Sequence, residues 1–276
     1  MDLIHTVADL RKRLEREDSI VLVPTMGNLH AGHIALVQKA HDHGRCVVVS
    51  IFVNRLQFEP GGDFGRYPRT LEADCEKLAR AKCDVVFAPD EREMYPAPQE
   101  IVLAPPRVAH TLEGEHRAGH FQGVVTVVAK LLNIVVPDVA IFGKKDYQQL
   151  MVLRELVRQL NFGVKVVPAE TVREPDGLAM SSRNGYLTPQ ERAEAARLSR
   201  ALRAIRSAVE GGRRDFAELD KAAKDELASH GWRPDYIAVR RRADLAPPGA
   251  DDRELVVLGA AWLGKTRLID NLEIDA

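Results

Sequence analysis

The sequence predicts an α/β protein with a doubly wound parallel sheet followed by a smaller C-terminal α+β domain. In the first two-thirds of the chain, short apolar segments with strand character alternate with segments of helical period. Apolar strands separated by helices are typical of a parallel sheet that is covered on both faces. In the last third, helices precede strands, and 276 residues suffice for about two domains. We therefore expect a first domain over residues 1–170 and a second over residues 171–276.

The spacing of apolar residues defines the elements of the first domain. Val7, Leu10 and Leu14 recur at helical spacing after Thr6, a favourable N-cap residue. The predicted strands are Ile20–Thr25, Cys46–Val53, Asp84–Pro89, Val139–Gly143 and Val164–Ala169. Further helices are predicted to begin near Gly32, Thr70 and Asp146. The valine-rich segment Phe121–Val136 favours a strand by propensity, but its length favours a buried helix, which we predict.

The second domain is predicted to begin with a strongly capped helix. Thr188 and Glu191 form a capping box with Pro189 at the first helical position, and the helix is expected to run to the glycine pair at 211–212. The remaining predicted elements are a helix over Phe216–Ser229 and two strands over Asp235–Arg242 and Glu254–Gly264.

The composition narrows the class of protein. Lys and Arg number 39 against 40 Asp and Glu, a net charge of −1, which argues against binding nucleic acid or an anionic membrane through clustered cations. The three cysteines are too few and too scattered for a disulfide framework. The N-terminal segment is amphipathic and charged, unlike a secretory signal, and no apolar run approaches the ~20 residues of a membrane-spanning helix. We expect a cytoplasmic enzyme with no nucleic-acid or membrane partner.

The most informative motif is PTMGNLHAGH, residues 24–33, where a predicted buried strand gives way to a helix. In an open parallel sheet ligands bind at this end of the strands, and a helix N-terminus offers free N–H groups to a phosphate. His30 and His33 lie one helical turn apart, so both rings can face one phosphate chain. The pair is also compatible with helix capping or with zinc binding, although the sequence shows no third zinc ligand at a suitable spacing.

Two further segments combine turn residues with polar side chains. GKKDYQQ, residues 143–149, follows a predicted strand; its lysines suit phosphate, its aspartate suits ribose hydroxyls, and its glutamines suit a polar small molecule. A solvated turn capped by Asp146 is the alternative. DGLAMSSRN, residues 176–184, lies at the proposed domain boundary and places two hydroxyls and a guanidinium in a row, which suits phosphate oxygens. Here the alternative is a simple linker.

These motifs resemble those of the pantoate–β-alanine ligase (pantothenate synthetase) family. The resemblance extends in order along nearly the whole chain and includes SIFVNRLQFEPGGDFGRYPRTLEAD, GHFQGV, FGKKDYQQL, TVREPDGLAMSSRNGYL and TRLIDN. The change in composition near Glu170 and the segment 176–184 after it favour a C-terminal domain that acts as a lid. The resemblance implies a Rossmann-like sheet of the nucleotidylyltransferase-like superfamily that binds ATP and pantoate, and a homodimer. It also implies a reaction in which (R)-pantoate and ATP form pantoyl adenylate and pyrophosphate. β-Alanine then displaces AMP to give pantothenate.

The resemblance further implies roles for individual residues. His30, His33 and Lys145 would be catalytic, with His33 the candidate proton donor. The implied ATP-binding residues are Met26, Gly27, Asn28, Leu29, His30, Ala31, Gly32, His33, Gly143, Lys144, Lys145, Asp146, Val172, Met180, Ser181, Ser182 and Arg183. Gln57, Gln149 and Met26 would contact pantoate or β-alanine. Mg²⁺ would accompany the ATP phosphates, and no protein ligand is assigned to it.

Three positions depart from the common family pattern. Arg55 stands where proline is commoner, Lys144 where glutamate is usual, and Ala31 where glutamate is frequent. Two other functions are also compatible with the sequence. One is a nucleotidylyltransferase that stops after attaching a nucleotide; the other is a nucleotide-binding sensor or RNA-binding module. Gln57 and Gln149 favour the ligase, because their amides suit a hydroxylated acid.

One further motif is interpreted as a chance match. GAAWLGKT, residues 259–266, satisfies the Walker A pattern. That pattern needs a flexible loop followed by a helix, whereas here its middle continues a predicted strand. We therefore expect no phosphate site at this segment.

Overall fold

The strands form two separate sheets in the structure, a computed structural model that describes residues 1–59 and 61–276. The first sheet contains β1 (Asp2–Ile4), β2 (Ile20–Thr25), β3 (Cys46–Ile51), β4 (Val85–Phe87), β5 (Val139–Gly143) and β6 (Lys165–Ala169). Their order is β1-β4-β3-β2-β5-β6, and every neighbouring pair is parallel. The second sheet contains β7 (Trp232–Arg241), β8 (Glu254–Leu263) and β9 (Thr266–Asp275), paired antiparallel in that order. The predicted fold class is confirmed.

The helices follow the predicted alternation in the first part of the chain. They are α1 (Val7–Leu14), α2 (Ala31–Ala40), α3 (Leu71–Arg80), α4 (Glu91–Met94), α5 (Glu113–His116), α6 (His120–Val135), α7 (Tyr147–Gln159), α8 (Pro189–Glu194), α9 (Arg197–Glu210) and α10 (Phe216–Ser229). None of the helices in the described ranges combines the length and apolar character that crossing a bilayer requires.

Apolar side chains cover both faces of the first sheet. Successive strand residues point to opposite faces, so Leu22 and Val48 pack with α1, α6 and α7, whereas Val21 and Val47 pack with α2 and α3. Helix α6 is buried on nearly all sides, which confirms the predicted helix. Its valines are tolerated because burial in the core outweighs their weak preference for strands.

The chain divides into two compact units. The first unit comprises Met1–Gly143 and Gln149–Glu170, and the second comprises Lys144–Gln148 and Thr171–Ala276. The short segment after β5, which carries the two lysines, therefore groups with the C-terminal residues rather than with the sheet that precedes it. The prediction of two contiguous domains did not anticipate this grouping.

The second unit differs in two respects from the prediction. The single helix expected from Thr188 to Gly211 is interrupted at Ala195 and Ala196, which keep right-handed backbone angles, so no helix-breaking residue signals the interruption. Strand β9 was not predicted. Its buried Asp270 and Asn271 break the alternation of apolar and polar residues by which a strand is recognised. The capping box at Thr188 is confirmed.

Strand β1 was also missed, because three residues are too few to show a period. By contrast, the rejection of the Walker A pattern is supported by the structure. Strand β8 ends at Leu263, Gly264 adopts a left-handed φ of 56°, and β9 begins at Thr266. The pattern therefore lies in a tight hairpin between two antiparallel strands, and a strand follows it where a phosphate-binding helix would be required.

Candidate active site

In the first unit, the loop between β2 and α2 is held by a buried carboxylate. Gly27 and Asn28 adopt left-handed φ angles of 80° and 51°. This geometry turns the N–H groups of Asn28 and Leu29 onto the Asp74 carboxylate of α3, each at 2.8 Å. Successive N–H groups in such a turn form an anion-binding nest. The nest is occupied by the protein's own carboxylate, so these two backbone donors, in a segment predicted to bind ATP, are already engaged.

Asp74 is fully buried and is itself fixed from three sides. Besides the two loop amides, it accepts a hydrogen bond from the Thr70 hydroxyl at 3.0 Å. The Lys77 ammonium lies 3.7 Å from its carboxylate and donates to the Leu29 carbonyl at 2.7 Å. Asp74 is not among the predicted site residues, because no sequence pattern indicates that α3 contacts the β2–α2 loop.

The two motif histidines form a capping box at the start of α2. Nδ1 of His30 accepts a hydrogen bond from the Gly32 N–H at 3.1 Å, and Nδ1 of His33 accepts one from the His30 N–H at 3.3 Å. The ring centroids are 4.0 Å apart. Nδ1 accepts a hydrogen bond in both rings, and a neutral imidazole whose Nδ1 accepts carries its proton on Nε2. Capping therefore uses one nitrogen of each ring and makes the other a donor.

Gln57 and Met26, both predicted to contact substrate, lie side by side. The amide nitrogen of Gln57 is 3.1 Å from the sulfur of Met26. Its amide oxygen accepts a hydrogen bond from Asn54 at 3.0 Å. Asn54 is almost completely buried and also accepts from the Tyr95 hydroxyl at 2.8 Å. Asn54 thus orients Gln57. The place of Asn54 just after β3 is the sequence signal that could have identified Asn54 as part of the site.

The backbone of Gln57 is fixed by helix α6. His120 Nδ1 is 2.9 Å from the Gln57 carbonyl oxygen, and Asn54 also donates to the Gly123 carbonyl at 3.1 Å. A Cβ atom at Gly123 would lie 2.2 Å from the Leu56 carbonyl oxygen. Only glycine permits this close approach, which explains the GHFQGV motif. Gln149, the other predicted substrate contact, is half-buried on α7.

In the second unit, the lysine turn at Lys144–Asp146 is a short 3₁₀ helix supported by β9. The Lys144 ammonium pairs with Glu273 at 2.7 Å, and the Tyr147 hydroxyl donates to the same carboxylate at 2.9 Å. Burial alone would raise the pKa of Glu273, but Lys144 and Tyr147 outweigh it and hold that pKa below its ordinary value. Lys144 is therefore engaged by Glu273, whereas the Lys145 ammonium lies 3.8 Å from Asp146.

The segment predicted to clamp phosphates begins in a hydrogen-bonded hairpin. The Met180 N–H donates to the Val172 carbonyl at 3.0 Å, and Arg173 pairs with Ala179 across the hairpin. Gly177 forms the turn with a φ of 94°. Beyond the hairpin, Ser181 caps the short helix Ser182–Tyr186, its hydroxyl accepting from the Arg183 N–H at 3.2 Å.

The arrangement in the first unit defines an α/β enzyme whose functional side chains stand at the carboxyl ends of parallel strands. The comparisons with known proteins specify it further. The model of the Pantoate-beta-alanine ligase family matches residues 2–273, and the chain belongs to this family. It is a ligase, and the resemblance drawn from the sequence motifs is confirmed.

Similar proteins match over their full length. A pantothenate synthetase from Thiobacillus denitrificans is 57% identical over 277 residues, covering 100% of this chain and 98% of that one. A pantothenate synthetase structure from Thermus thermophilus has 46% identity and a TM-score of 0.95, with 100% of both chains covered. The Francisella tularensis enzyme, solved in complex with beta-gamma ATP and beta-alanine, has 34% identity and a TM-score of 0.84, covering 99% and 97%.

Proposed function

We propose that the protein joins (R)-pantoate to β-alanine at the expense of ATP, in two steps. In the first, a pantoate carboxylate oxygen attacks the α-phosphorus and pyrophosphate leaves, giving pantoyl adenylate. In the second, the β-alanine amine attacks the acyl carbon, the acyl–oxygen bond breaks, and AMP leaves with pantothenate formed. Membership of the pantoate–β-alanine ligase family supports the substrates, and the ligands of the Francisella tularensis enzyme support ATP and β-alanine.

The observation that carries this proposal is that both motif histidines cap α2 through Nδ1. In neutral rings this places the proton of His30 and of His33 on Nε2, at the end of the sheet where ligands bind. During the first step, negative charge builds on the departing pyrophosphate. Preorganised N–H donors stabilise such charge without reorganising at the moment of reaction. In this proposal His33 is the proton donor and His30 its partner on the phosphates.

Pantoate is assigned to the region of Gln57, Met26 and Gln149. Gln57 has its amide oxygen engaged by Asn54, so its amide nitrogen faces away from that partner. One N–H of this nitrogen points to the Met26 sulfur, and the nitrogen has a second N–H suited to a substrate oxygen. The thioether of Met26 provides an apolar neighbour for the methyl groups of pantoate. A site built on oriented amides discriminates strongly, since leaving them unpaired is costly.

The remaining assignments concern ATP. We place Lys145 at the α-phosphate; Ser181, Ser182 and Arg183 at the β- and γ-phosphates; Asp146 and Gly143 at the ribose; and Val172 and Met180 beside the adenine. The loop and helix start from Met26 to His33 would face the phosphates. Arginine and serine side chains in succession give the directed donors that phosphate oxygens require. Lys144 has the weakest case, because Glu273 already engages it.

Mg²⁺ is treated as part of the substrate, MgATP. Within the described ranges, no group of three or more histidine, cysteine, aspartate or glutamate side chains is gathered to hold a metal ion. In this proposal the ligands of the ion are phosphate oxygens and water. No step of the proposed reaction is routed through it.

The experiment that tests the function uses pantoate labelled with ¹⁸O in its carboxylate. The enzyme is incubated with MgATP, labelled pantoate and β-alanine, omitting each in turn, and products are identified by mass spectrometry. We expect pantothenate and AMP carrying one labelled oxygen, because the carboxylate oxygen that attacked phosphorus stays on it. ADP with phosphate, or unlabelled AMP, would exclude the adenylate. Adenylate that accumulates regardless of β-alanine would identify a nucleotidylyltransferase.

The homodimer and the cytoplasmic location also belong to this proposal. The homodimer follows from the family resemblance. The cytoplasmic location follows from the few, scattered cysteines, which are free in the described residues and fit a reducing compartment. Light scattering during gel filtration would measure the mass of the particle, and a monomeric mass would exclude the dimer. Cell fractionation of a tagged full-length chain would test the location.

A further inference from the structure

We propose that Asn271 of β9 is a positioning residue that sets the backbone of Lys145. This inference rests on the proposed function, in which the Lys145 ammonium binds the α-phosphate. Asn271 contacts no substrate in the proposal. Its effect on the reaction passes through the lysine turn.

Asn271 uses both of its side-chain N–H groups on that turn. Its amide nitrogen donates to the Lys144 carbonyl at 2.9 Å and to the Lys145 carbonyl at 2.8 Å. These two carbonyls belong to the peptide units on either side of the Lys145 Cα, so fixing both restricts the φ and ψ angles of Lys145. An amide has two N–H donors. Both are therefore committed to the backbone that carries the proposed catalytic lysine.

The burial of Asn271 is explained by these two hydrogen bonds. The residue is 6% exposed in the middle of a strand, where an apolar side chain would normally stand. Burying an amide costs free energy unless its hydrogen bonds are made. The sheet itself requires only the backbone of Asn271, which pairs with Leu258. A polar side chain at this position therefore serves the lysine turn rather than the sheet.

Asn271 is in turn held by the hairpin that carries the proposed phosphate clamp. Arg173 forms a bidentate pair with Asp270, with distances of 2.8 Å and 2.9 Å, and donates to the Asn271 carbonyl at 3.1 Å. Arg173 also donates to the Gly177 carbonyl at 3.0 Å, within the hairpin. Bidentate arginine–carboxylate pairs fix orientation as well as distance. The lysine turn and the hairpin before Ser181 are thus both attached to neighbouring residues of β9.

Fixed placement matters because catalysis by a charged side chain depends steeply on geometry. A misplacement of about 1 Å can lower the rate roughly 100-fold. Asn271→Leu keeps the approximate shape and removes both donors. We expect kcat for adenylate formation to fall about 10- to 100-fold, while KM for pantoate changes less than about twofold.

The decisive measurement is a double-mutant cycle with Lys145→Ala. If Asn271 acts through Lys145, Asn271→Leu will reduce kcat by less than about twofold when the lysine is already absent. Asp235→Asn is the matched control, because it removes the charge of Asp235 from its half-buried 2.7 Å ion pair with Arg267, elsewhere on β9. Asp235→Asn should lose about as much thermal stability as Asn271→Leu, but it should keep the kcat of the wild type. Asn271→Ser, whose shorter polar side chain cannot reach both carbonyls, serves if the leucine variant does not fold.

The outcomes separate this inference from the proposed function. Full additivity of the two losses in the cycle would show that Asn271 acts independently of Lys145 and would overturn the inference alone. A wild-type rate for Lys145→Ala would overturn the assignment of Lys145 and, with it, the role given to Asn271. Strong coupling with intact folding supports both.

Discussion

The carboxylate of Asp74 accepts a hydrogen bond from the backbone N–H of Leu29 at 2.8 Å, although the two residues are 45 positions apart in the chain. Helix α3 thereby fixes the loop that leads to His30. A nest of N–H groups at a strand end would suit a phosphate equally well. Because Asp74 already accepts from the Asn28 and Leu29 N–H groups, we expect the backbone of these two residues to serve the proposed ATP site by placing the histidines.

The first prediction concerns Asp74→Asn. In the asparagine variant, the amide oxygen accepts from one loop N–H, but the NH2 group then faces the other loop N–H, donor against donor. We therefore expect the free energy of unfolding to fall by about 1.5–3 kcal/mol. We also expect kcat to fall about tenfold, because the loop before His30 relaxes. Denaturant unfolding and initial rates would be measured together. Asp138→Asn is the control, since Asp138 accepts from the Ile20 N–H at 2.8 Å at the opposite end of β2. If both variants lost stability and neither lost kcat, Asp74 would stabilise the fold without contributing to catalysis.

The second prediction separates the capping and donor functions of His30. In His30→Asn, the amide oxygen takes the place of Nδ1 and preserves the cap, but nothing replaces Nε2–H. In His30→Gln, the longer amide reaches the position of Nε2 and the cap is lost. We expect the asparagine variant to stay stable and lose roughly 100-fold in adenylate formation. The glutamine variant should lose about 1 kcal/mol of stability and retain more activity.

The half-reactions provide the readout for this comparison. Pyrophosphate release measures the first step, and pre-formed pantoyl adenylate with β-alanine measures the second. Because the leaving pyrophosphate is present only in the first step, the damage should be concentrated there. Equal losses in both half-reactions would contradict the assignment of His30 to the phosphates.

The third prediction is that Gln57→Leu cripples the use of pantoate and spares ATP. Loss of an oriented amide should lower kcat/KM for pantoate by roughly 10²–10⁴-fold. Folding should survive, because Asn54 keeps its bond to the Gly123 carbonyl. ATP affinity is measured by isothermal titration, with Gln159→Leu on the exposed face of α7 as the control. A parallel fall in ATP affinity would assign Gln57 to a shared structural element instead.

The fourth prediction is that Arg183→Ala weakens ATP binding and lets the acyl adenylate hydrolyse before β-alanine arrives. Losing a guanidinium contact to phosphate should raise Kd for ATP by roughly tenfold or more. The ratio of AMP released to pantothenate formed at limiting β-alanine should rise above that of the wild type. Arg213→Ala, an exposed arginine elsewhere in the second unit, is the control. An unchanged ratio with unchanged ATP affinity would make the segment a linker after all.

Elements with their own periodic signal could be predicted from the sequence. Strands β2 and β3 are apolar over most of their length, and α6 is long enough to favour a helix in spite of its valines. Strand β9 could not be predicted, because Asp270 and Asn271 are buried for reasons that depend on residues far away in the chain. Local pattern cannot reveal a polar residue whose partners are set by tertiary structure.

The same limit applies to the site. Proposed catalytic residues at a glycine turn, such as His30 and Lys145, were recognisable as candidates from their type and position. The residues that hold them in place were not. Asp74 and Asn271 contact the motif residues only because separate elements pack together, so their carboxyl and amide groups look like ordinary surface chemistry in the sequence.

The division of the chain after Gly143 has a consequence for recombination between related proteins. A chimera that exchanges everything after residue 170 would bring in a foreign β9 while keeping the native segment Lys144–Gln148, and thus mismatch partners that belong to one unit. Crossovers that carry residues 144–148 together with residues 171–276 would keep the lysines with their scaffold. The second unit is therefore encoded by two separate stretches of the gene. A hybrid enzyme made with a single crossover between them would combine parts of this unit from two different proteins.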